Sequence, residues 1–468
     1  MRSQFSRGVL ARRPAASGRA RQRCAHTQVD TARTNRHGAY CSVVLPWAAC
    51  KSPCRRQVPC HRETQGATLP RLPHDRSRIR ACPEGPMSRR ISRLAVLSRY
   101  ALPAAMALAP APLAAQCDDC TFPGATWESV RRPELAGYGW DAGVLARTAA
   151  FLRDSANSTG VVVAHKGRVV LAFGDIEELS YLASVRKSIL AMLYGAWVEQ
   201  GVIDLDATLE DLGVDDVGGL LPVERQATID HLITARSGVY HPASNAGDNL
   251  ADAPPRGSRQ PGTYMLYSNW DFNAAGAVFE QLTGRDIYDE AQAQLAAPLG
   301  FEDWDRSVQR KSGNLSVSRN PAYHFWLSTR DMARIGHLML NEGEWNGAQL
   351  IPREWARRIV SVVTPLDEMN PPRRRDGYFG YGYMWWIFDG PRAVGPFEGA
   401  YTGRGAVGQW ITVFPVLDLV IAHKTKSAYG RSTSWRSWER LVELLLEAHG
   451  VEMTGEFPWA GEPGTSGR

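Results

Sequence analysis

The hydrophobic pattern of the chain becomes regular only after about residue 140. Residues 140–155 carry apolar side chains at helical spacing, which predicts an amphipathic helix. Residues 160–174 are rich in valine on both sides of a Lys-Gly dipeptide, a pattern typical of two strands joined by a tight turn. The apolar run 188–194 comes soon after Ser184, so we expect a helix that begins at this serine.

Strand patterns return near the C-terminal end, at 380–389, 397–403, 409–414 and 417–424, and a last helical pattern covers 434–449. The stretch between the two sets, about 205–358, contains helical segments and many turn signals. Strands at both ends with helices between them predict an α+β fold. We expect an antiparallel sheet built from both termini and flanked by helices, with a mostly helical inserted domain.

The N-terminal part has a different composition. Residues 1–86 contain 17 Lys and Arg against four Asp and Glu, six of the eight cysteines, and no periodic apolar stretch, so we predict a disordered basic leader. A basic start, an apolar stretch and small residues before Gln116 predict a secretory signal peptide over 87–115. One hypothesis is that translation begins at Met87 and the leader is not translated. The other is a basic arm that touches nucleic acid.

Removal of these two segments reverses the net charge. The whole chain carries +6, whereas residues 116–468 hold 33 basic against 44 acidic residues. An acidic mature protein argues against nucleic-acid binding, and the apolar stretch is too short for a stable membrane span. Only Cys117 and Cys120 remain, either as a local disulfide or as free thiols, which suits an oxidising compartment. We therefore expect a periplasmic or secreted protein.

Ser184-Val185-Arg186-Lys187 carries the clearest candidate chemistry. A serine and a lysine three positions apart at a helix start lie on one face, so their side-chain heads can meet. A buried lysine with a lowered pKa can activate a serine hydroxyl, and the helix N-terminus offers N–H groups to a developing oxyanion. The same spacing suits a capping serine and a solvent-exposed lysine. By itself the motif leaves both interpretations open.

A second candidate motif is Tyr267-Ser268-Asn269, which lies between a turn and a helix predicted to start near Phe272. A loop held by flanking elements can present a tyrosine that relays protons and an asparagine that grips a substrate carbonyl. A turn asparagine beside a packed tyrosine is the alternative interpretation.

Together these motifs resemble the serine beta-lactamase and penicillin-recognising family, on the class C side, where the second motif carries tyrosine. The resemblance covers about 140–449. Four phrases resemble its esterase-like and 6-aminohexanoate-dimer-hydrolase-like branch: SGVYHPASN (237–245), YSNWDFNAAG (267–276), DMARIGHLMLNEGEWNGAQLIP (331–352) and GYGYMWW (380–386).

This resemblance implies a hydrolase that forms an acyl-enzyme with small-molecule esters or amides. Ser184 attacks the carbonyl, Lys187 and Tyr267 share the proton transfers, and Asn269 orients the substrate. No cofactor or metal is implied, and the histidines show no close zinc-ligand spacing. The predicted organisation is an N-terminal linker (116–135), a hydrolase domain (136–450) and a C-terminal tail (451–468). No sequence feature specifies an oligomeric state.

The third motif departs from the family pattern. Family members carry Lys-Thr-Gly or His-x-Gly on that strand, whereas this chain has Arg404-Gly405 within a glycine-rich stretch, 401–409. We assign both residues to substrate binding, with a backbone N–H near Gly405 or Ala406 completing the oxyanion hole. The loss of Lys or His puts binding of β-lactam carboxylates in doubt, although the Arg404 guanidinium can pair with an anion.

Four aromatic residues are further candidates for the pocket. Neighbouring residues on a strand face opposite sides, so at least one of the two adjacent tryptophans belongs to the core. The candidates are Tyr240, His241, Trp385 and Trp386.

The segment His423-Lys424-Thr425-Lys426 follows the strand after the glycine-rich one and lacks the glycine of a third motif, so we exclude it from the site.

Three functions remain in competition. The preferred one is an exported serine hydrolase of esters or amides. A D,D-peptidase or β-lactamase acting on cell-wall peptides or antibiotics is the second, and a catalytically silent binding or scaffold protein on this fold is the third. The chain has no G-x-S-x-G elbow, which argues against an α/β-hydrolase.

Overall fold

The computed structural model describes residues 119–453 and 455–460. The predicted leader and signal peptide, Cys117 and the end of the predicted tail lie outside these residues, and their assignments stay predictions. Within the described part, no helix has both the length and the apolar character needed to cross a membrane.

A seven-stranded antiparallel sheet forms the centre of the described part. Its strands are β1 (Gly160–His165), β2 (Arg168–Gly174), β3 (Phe379–Tyr381), β4 (Trp386–Phe388), β5 (Tyr401–Gly405), β6 (Gln409–Phe414) and β7 (Leu419–Lys424). The order across the sheet is β2-β1-β7-β6-β5-β4-β3. The first and last strands of the sheet in chain order, β1 and β7, pair with each other, from Gly160 opposite Lys424 to His165 opposite Leu419. The predicted α+β class, with a sheet built from both termini, is confirmed.

The predicted single strand 380–389 is wrong, because the chain reverses inside it to form the β3–β4 hairpin. Gly382 N donates to Trp385 O at 2.9 Å, and Met384 adopts a positive φ of 61°. A Cβ on Gly382 would lie 2.6 Å from Ser361 O, so the turn requires glycine at this close approach. No Asn, Asp, Ser or Pro stands at the turn, between Gly382 and Trp385.

Longer helices cover both faces of the sheet. They are α1 (Ala142–Asp154), α2 (Val185–Glu199), α3 (Asn269–Thr283), α4 (Thr329–Leu340) and α5 (Trp435–Ala448). A Cβ on Gly336 of α4 would lie 3.1 Å from Ile411, so α4 covers that face of β6. The preceding residue of β6, Trp410, contacts Trp438 of α5 on the opposite face, with ring centroids 6.0 Å apart. A Cβ on Gly403, the partner of Ile411, would meet α2, so α2 shares the face of α4.

The predicted insertion contains short helices together with five short strands. The helices are Pro222–Arg225, Ile229–Ile233, Ile287–Ala291, Ala297–Leu299 and Arg353–Ile359, and a π-helical segment, Gln292–Ala296, continues the third. The strands are Arg310–Ser312, Ala322–His324, Trp326–Leu327, Glu344–Trp345 and Ala348–Gln349. Four of these strands pair with each other in two small sheets, the first with the second and the fourth with the fifth. Trp326–Leu327 pairs instead with Ser180–Tyr181, a short strand that precedes the insertion, in a third small sheet.

The described part of the predicted linker packs on the sheet. Val130 is buried, and its N–H donates to Val169 O of β2 at 2.9 Å. A short 3-10 helix, Arg132–Tyr138, then leads into α1. Cys120 at the start of this segment is disulfide-bonded.

Candidate active site

Ser184 is the N-cap residue of α2 and follows a strained turn. Ala183 has a positive φ of 49°, a conformation that L-residues rarely adopt. The surrounding core holds this turn in place, since Leu182 and Val185 on either side are fully buried. Among the described residues, the Ser184 hydroxyl caps no backbone N–H of its own helix. The interpretation of Ser184 as a capping serine is therefore wrong.

Lys187 lies one turn further along α2 and is only 1% exposed, so it is not a solvent-exposed lysine. Its Nζ lies 2.9 Å from Ser184 Oγ, 2.6 Å from Tyr267 Oη and 2.8 Å from Asn269 Oδ1. The rings of Tyr267 and Phe272 flank Nζ at 4.2 and 4.6 Å from their centroids. The two predicted motifs therefore meet at this nitrogen.

Burial lowers the pKa of Lys187 well below its ordinary value, because desolvation disfavours the ammonium form. The positive charge of Arg186 lowers this pKa further, whereas the carboxylate of Asp248 raises it. Arg186 is itself buried and donates to Asn273 Oδ1 at 2.7 Å. The lowered pKa favours the neutral form that a general base needs.

Tyr267 closes the other side of the lysine. Burial raises the pKa of its phenol, and a hydrogen bond with Ser184 partly opposes this rise. The ring packs between Phe272 and Trp386, with centroids 4.9 and 5.4 Å away. The phenol therefore keeps its proton at neutral pH and can act as a donor.

Asn269 is the first residue of α3, not a loop residue, because the Ser268 hydroxyl caps the helix by accepting from Trp270 N. Its amide is engaged at both ends. Oδ1 contacts Lys187, and Nδ2 donates to Ala246 O at 2.9 Å. This geometry fits a residue that positions Lys187 better than one that grips a substrate carbonyl.

Strand β5 offers a backbone N–H donor near Ser184, that of Arg404. Ala400 O accepts from Phe388 N at 2.9 Å, so the backbone groups of Ala400 point to β4. In an antiparallel sheet the N–H and C=O of one residue point to the same side, and this side alternates along the strand, so the Arg404 N–H also points to the β4 side. The last pair between β4 and β5 is Trp386 with Thr402. Within the described chain, the Arg404 N–H therefore lies beyond the end of strand pairing on that side.

Gly405 permits the close approach of β5 to the turn that precedes Ser184, residues 182–184. A Cβ at this position would lie 2.5 Å from Leu182 O and 3.1 Å from Ser184 N. By the same alternation, the Gly405 N–H points to β6 and away from the site. The geometry thus favours the Arg404 N–H over the predicted N–H near Gly405 as an oxyanion donor.

The Arg404 side chain lies between two tryptophans, on the face of β5 opposite to the one that Gly405 turns toward Leu182 and Ser184. Its guanidinium carbon is 4.3 Å from the Trp435 ring centroid and 5.4 Å from that of Trp386. A second guanidinium, that of Arg374, lies 5.2 Å from the same Trp386 ring. Burial lowers the pKa of both arginines, that of Arg374 to about 10.

The other candidate pocket residues divide between the site and the core. Trp386 contacts Tyr267, whereas Trp385 packs against Tyr401, so the two neighbours face opposite sides as predicted. Both ring nitrogens of His241 are engaged by backbone carbonyls at 2.8 Å. Tyr240 is buried. Lys424 is buried too and donates to Leu327 O at 3.0 Å, outside the serine–lysine cluster.

Sequence reasoning missed three charged residues near the site: Arg186, Asp248 and Arg374. Arg186 stands inside the first motif, but no local pattern indicates that it is buried. Asp248 binds the N–H of Asn269 at 3.0 Å from a separate loop, and no spacing rule connects the two. No cluster of three or more His, Cys, Asp or Glu suited to a metal occurs among the residues that the structure describes.

Sequence comparison finds a family profile and several relatives. The profile of the Beta-lactamase family matches residues 145–442. An uncharacterized protein of Alkalihalophilus pseudofirmus is 23% identical over 264 residues, which cover 51% of this chain and 71% of that protein. Monacolin J acid methylbutanoyltransferase of Aspergillus terreus is 30% identical over 166 residues, which cover 29% of this chain and 40% of that protein.

Structural comparison agrees with the profile. A candidate 6-aminohexanoate-dimer hydrolase from Bacillus anthracis superposes with a TM-score of 0.50 at 19% identity, over 65% of this chain and 82% of the other. At this identity the likeness concerns the fold alone. Because the family profile covers more than half of its length, the chain belongs to the Beta-lactamase family.

Proposed function

We propose that the protein is an exported serine hydrolase that cleaves small-molecule esters or amides through an acyl-enzyme on Ser184. The observation that carries this proposal is the position of Lys187 Nζ, buried and 2.9 Å from Ser184 Oγ. A base without its proton beside a hydroxyl is the arrangement that activates a serine nucleophile. Membership of a hydrolase family supports the same class of reaction.

Acylation begins when Ser184 Oγ attacks the carbonyl carbon and its proton moves to the neutral Lys187 amine. Asn269 Oδ1 has no proton to donate, so it accepts an N–H of this amine and orients the nitrogen lone pair. The new C–O bond leaves a negative charge on the former carbonyl oxygen. Lys187 becomes an ammonium in the same step.

Two backbone N–H groups are in place for that negative charge. One belongs to Ser184, at the N-terminus of α2, where the helix dipole favours an anion. The other belongs to Arg404 on β5, whose strand passes close to the Ser184 backbone. Such fixed donors stabilise a developing oxyanion more than the neutral carbonyl.

Collapse of the intermediate breaks the bond to the leaving group, which takes up a proton. Tyr267 donates this proton and regains one from the Lys187 ammonium, 2.6 Å away. Water then attacks the acyl-enzyme and gives a proton to the Lys187 amine. The bond between the acyl carbon and Ser184 Oγ breaks, Oγ takes this proton back from Lys187, and the carboxylic acid is released. The cycle returns every group to its starting state.

Acyl transfer to an alcohol is a second candidate, and the 30% match to a methylbutanoyltransferase favours it. Both reactions share the acyl-enzyme and differ only in whether water or an alcohol attacks. An ester substrate with added short-chain alcohols distinguishes them by mass spectrometry of the products. A transfer enzyme forms mostly the new ester, whereas a hydrolase forms mostly the free acid.

The export part of the proposal rests on the signal-peptide pattern over 87–115 and on the disulfide at Cys120. Cell fractionation and N-terminal sequencing of the native protein test it. We expect mature protein that starts near Gln116, outside the cytoplasm. Residues from 1–86 in the native protein contradict an untranslated leader, and a purely cytoplasmic protein contradicts export.

Labelling with a fluorophosphonate tests the nucleophile. We expect one covalent adduct on Ser184, lost in Ser184→Ala. Ser188→Ala is the matched control, because this serine lies one turn away on α2 with its hydroxyl bound to Met384 O at 2.8 Å, and it should label like wild type. A folded but unlabelled wild type supports a silent scaffold. Nitrocefin cleaved faster than p-nitrophenyl acetate supports a β-lactamase.

A further inference from the structure

Two guanidinium groups border the active site beside Trp386. Arg404 and Arg374 each lie within 5.5 Å of the Trp386 ring centroid. Both positive charges act on the phenol of Tyr267, whose ring contacts the same tryptophan. The two cations therefore lie around the same tryptophan that contacts Tyr267.

Neither guanidinium forms a salt bridge with a carboxylate in the described part of the chain. Arg374 donates to the neutral Asn249 Oδ1 at 2.8 Å, while its Nε is buried and meets no acceptor among the described residues. Arg404 is held by the rings of Trp386 and Trp435. Two nearby cations that are partly removed from water repel each other, which is a cost that a bound anion offsets.

The carboxylates that act electrostatically on these arginines are engaged elsewhere. Asp252 accepts two hydrogen bonds from Arg373, at 2.8 and 2.7 Å. Glu439 accepts one from the Tyr378 hydroxyl at 2.7 Å. The protein thus keeps its own acidic groups bonded to other residues beside the pair.

The pair is also held in place before any ligand binds. Asn249, which accepts from Arg374, donates its own N–H to Tyr267 O at 3.0 Å, so this arginine is tied to the segment that carries the catalytic phenol. Arg404 extends from β5, the strand that approaches Ser184. Rigid donors lose less entropy when they bind a ligand.

We propose that Arg374 and Arg404 form a carboxylate subsite of the active site, which selects esters or amides that carry a carboxylate beside an aromatic or apolar group. Guanidinium groups bind carboxylates through paired N–H donors. Trp386 and Trp435 supply flat apolar walls for the rest of that group. The inference rests on the proposed hydrolase function and specifies its substrate class.

The test compares matched esters that differ only in charge. One pair, 4-acetoxybenzoate and methyl 4-acetoxybenzoate, places the carboxylate on the leaving group. The other, mono-(4-nitrophenyl) glutarate and 4-nitrophenyl methyl glutarate, places it on the acyl group. Each kcat/KM is divided by the rate of alkaline hydrolysis to remove intrinsic reactivity. We expect the wild type to prefer the anion about tenfold or more in at least one pair.

Arg374→Gln and Arg404→Gln should each reduce this preference about tenfold, as expected for loss of one charge-assisted contact. Arg373→Gln is the matched control, because this neighbouring arginine is 62% exposed and pairs with Asp252. It should keep the preference. The inference fails if the wild type shows no preference in either pair, or if both Gln variants keep it.

A second measurement needs no variant. Benzoate should inhibit neutral-ester hydrolysis competitively and at least about tenfold more strongly than benzamide of the same shape. Equal inhibition by the two compounds overturns the subsite. Neutral-ester hydrolysis that depends on Ser184 reports on the proposed function separately, so the failure of either proposal is distinguishable from the failure of the other.

Discussion

Gly405 offers a direct test of the close contact between β5 and the turn that precedes Ser184. In Gly405→Ala the added methyl carbon lies 2.5 Å from Leu182 O and 3.1 Å from Ser184 N. Non-bonded heavy atoms prefer about 3.5 Å, so strand and turn must separate by roughly 1 Å. Both are backbone in a buried region, and no flexible side-chain end can move aside instead. The shift therefore changes the distance between Ser184 and the Arg404 N–H.

A misplacement of about 1 Å costs on the order of 100-fold in rate, and overpacking costs about 1–3 kcal/mol of unfolding free energy. We expect kcat/KM for p-nitrophenyl acetate to fall about 100-fold. The Tm should fall by about 2–10 °C, with the circular dichroism spectrum unchanged. Stopped-flow acylation rates and thermal melts of the purified protein measure the two effects.

Gly137→Ala is the control, since no atom lies within 4 Å of a Cβ there, and it should leave both rate and Tm unchanged. Wild-type kcat/KM in a folded Gly405→Ala protein would refute the reasoning. It would mean that β5 does not supply an oxyanion donor whose position matters.

Three further predictions concern the lysine. Lys187→Arg should stay folded and lose about 1,000-fold in acylation rate, because a guanidinium stays protonated. The burst of p-nitrophenol released from p-nitrophenyl acetate measures this rate, and a burst close to that of the wild type would mean that another residue is the base. Asn269→Asp sets a carboxylate beside Lys187 Nζ and raises the lysine pKa. Since kcat/KM rises as the lysine loses its proton, the acidic limb of its pH profile should move to higher pH, and an unmoved limb contradicts this. Arg186→Met removes a charge that lowers the same pKa, so its limb should also move to higher pH; no shift there means that desolvation alone sets the pKa.

The sequence predicted the elements whose signal is local. Residues 160–174 are rich in valine on both sides of a Lys-Gly dipeptide, and the structure confirms β1 and β2 there. The helix at Ser184 is likewise confirmed as α2. The β3–β4 hairpin was missed because an apolar run with no polar turn residue looks the same whether it continues or reverses. Only pairing with β5 and the close contact of Gly382 with Ser361 select the turn.

Only the local part of the candidate site was predictable from the sequence. Residues three apart lie on one face of an α-helix, so the spacing of Ser184 and Lys187 indicated that their side chains can meet. Their link to Tyr267 spans 80 residues, and only family resemblance indicated it before the structure placed the two groups 2.6 Å apart. The contacts of the Asn269 amide with Lys187 and Ala246 could not be read from the sequence, because the direction of this amide depends on Ala246 and on α3. Its predicted substrate contact stays a prediction.

By itself, the sequence determined the strands β1 and β2, the helix α2 and the one-turn spacing of Ser184 and Lys187. The tertiary structure decided burial, and with it the chemistry of the charged groups. Arg373, Arg374 and Arg375 are identical neighbours in the chain. Yet Arg373 pairs with Asp252 at the surface, while Arg374 is drawn against Trp386 and its pKa is lowered to about 10. Desolvation depends on what surrounds a side chain in three dimensions, and no local pattern of residues encodes it.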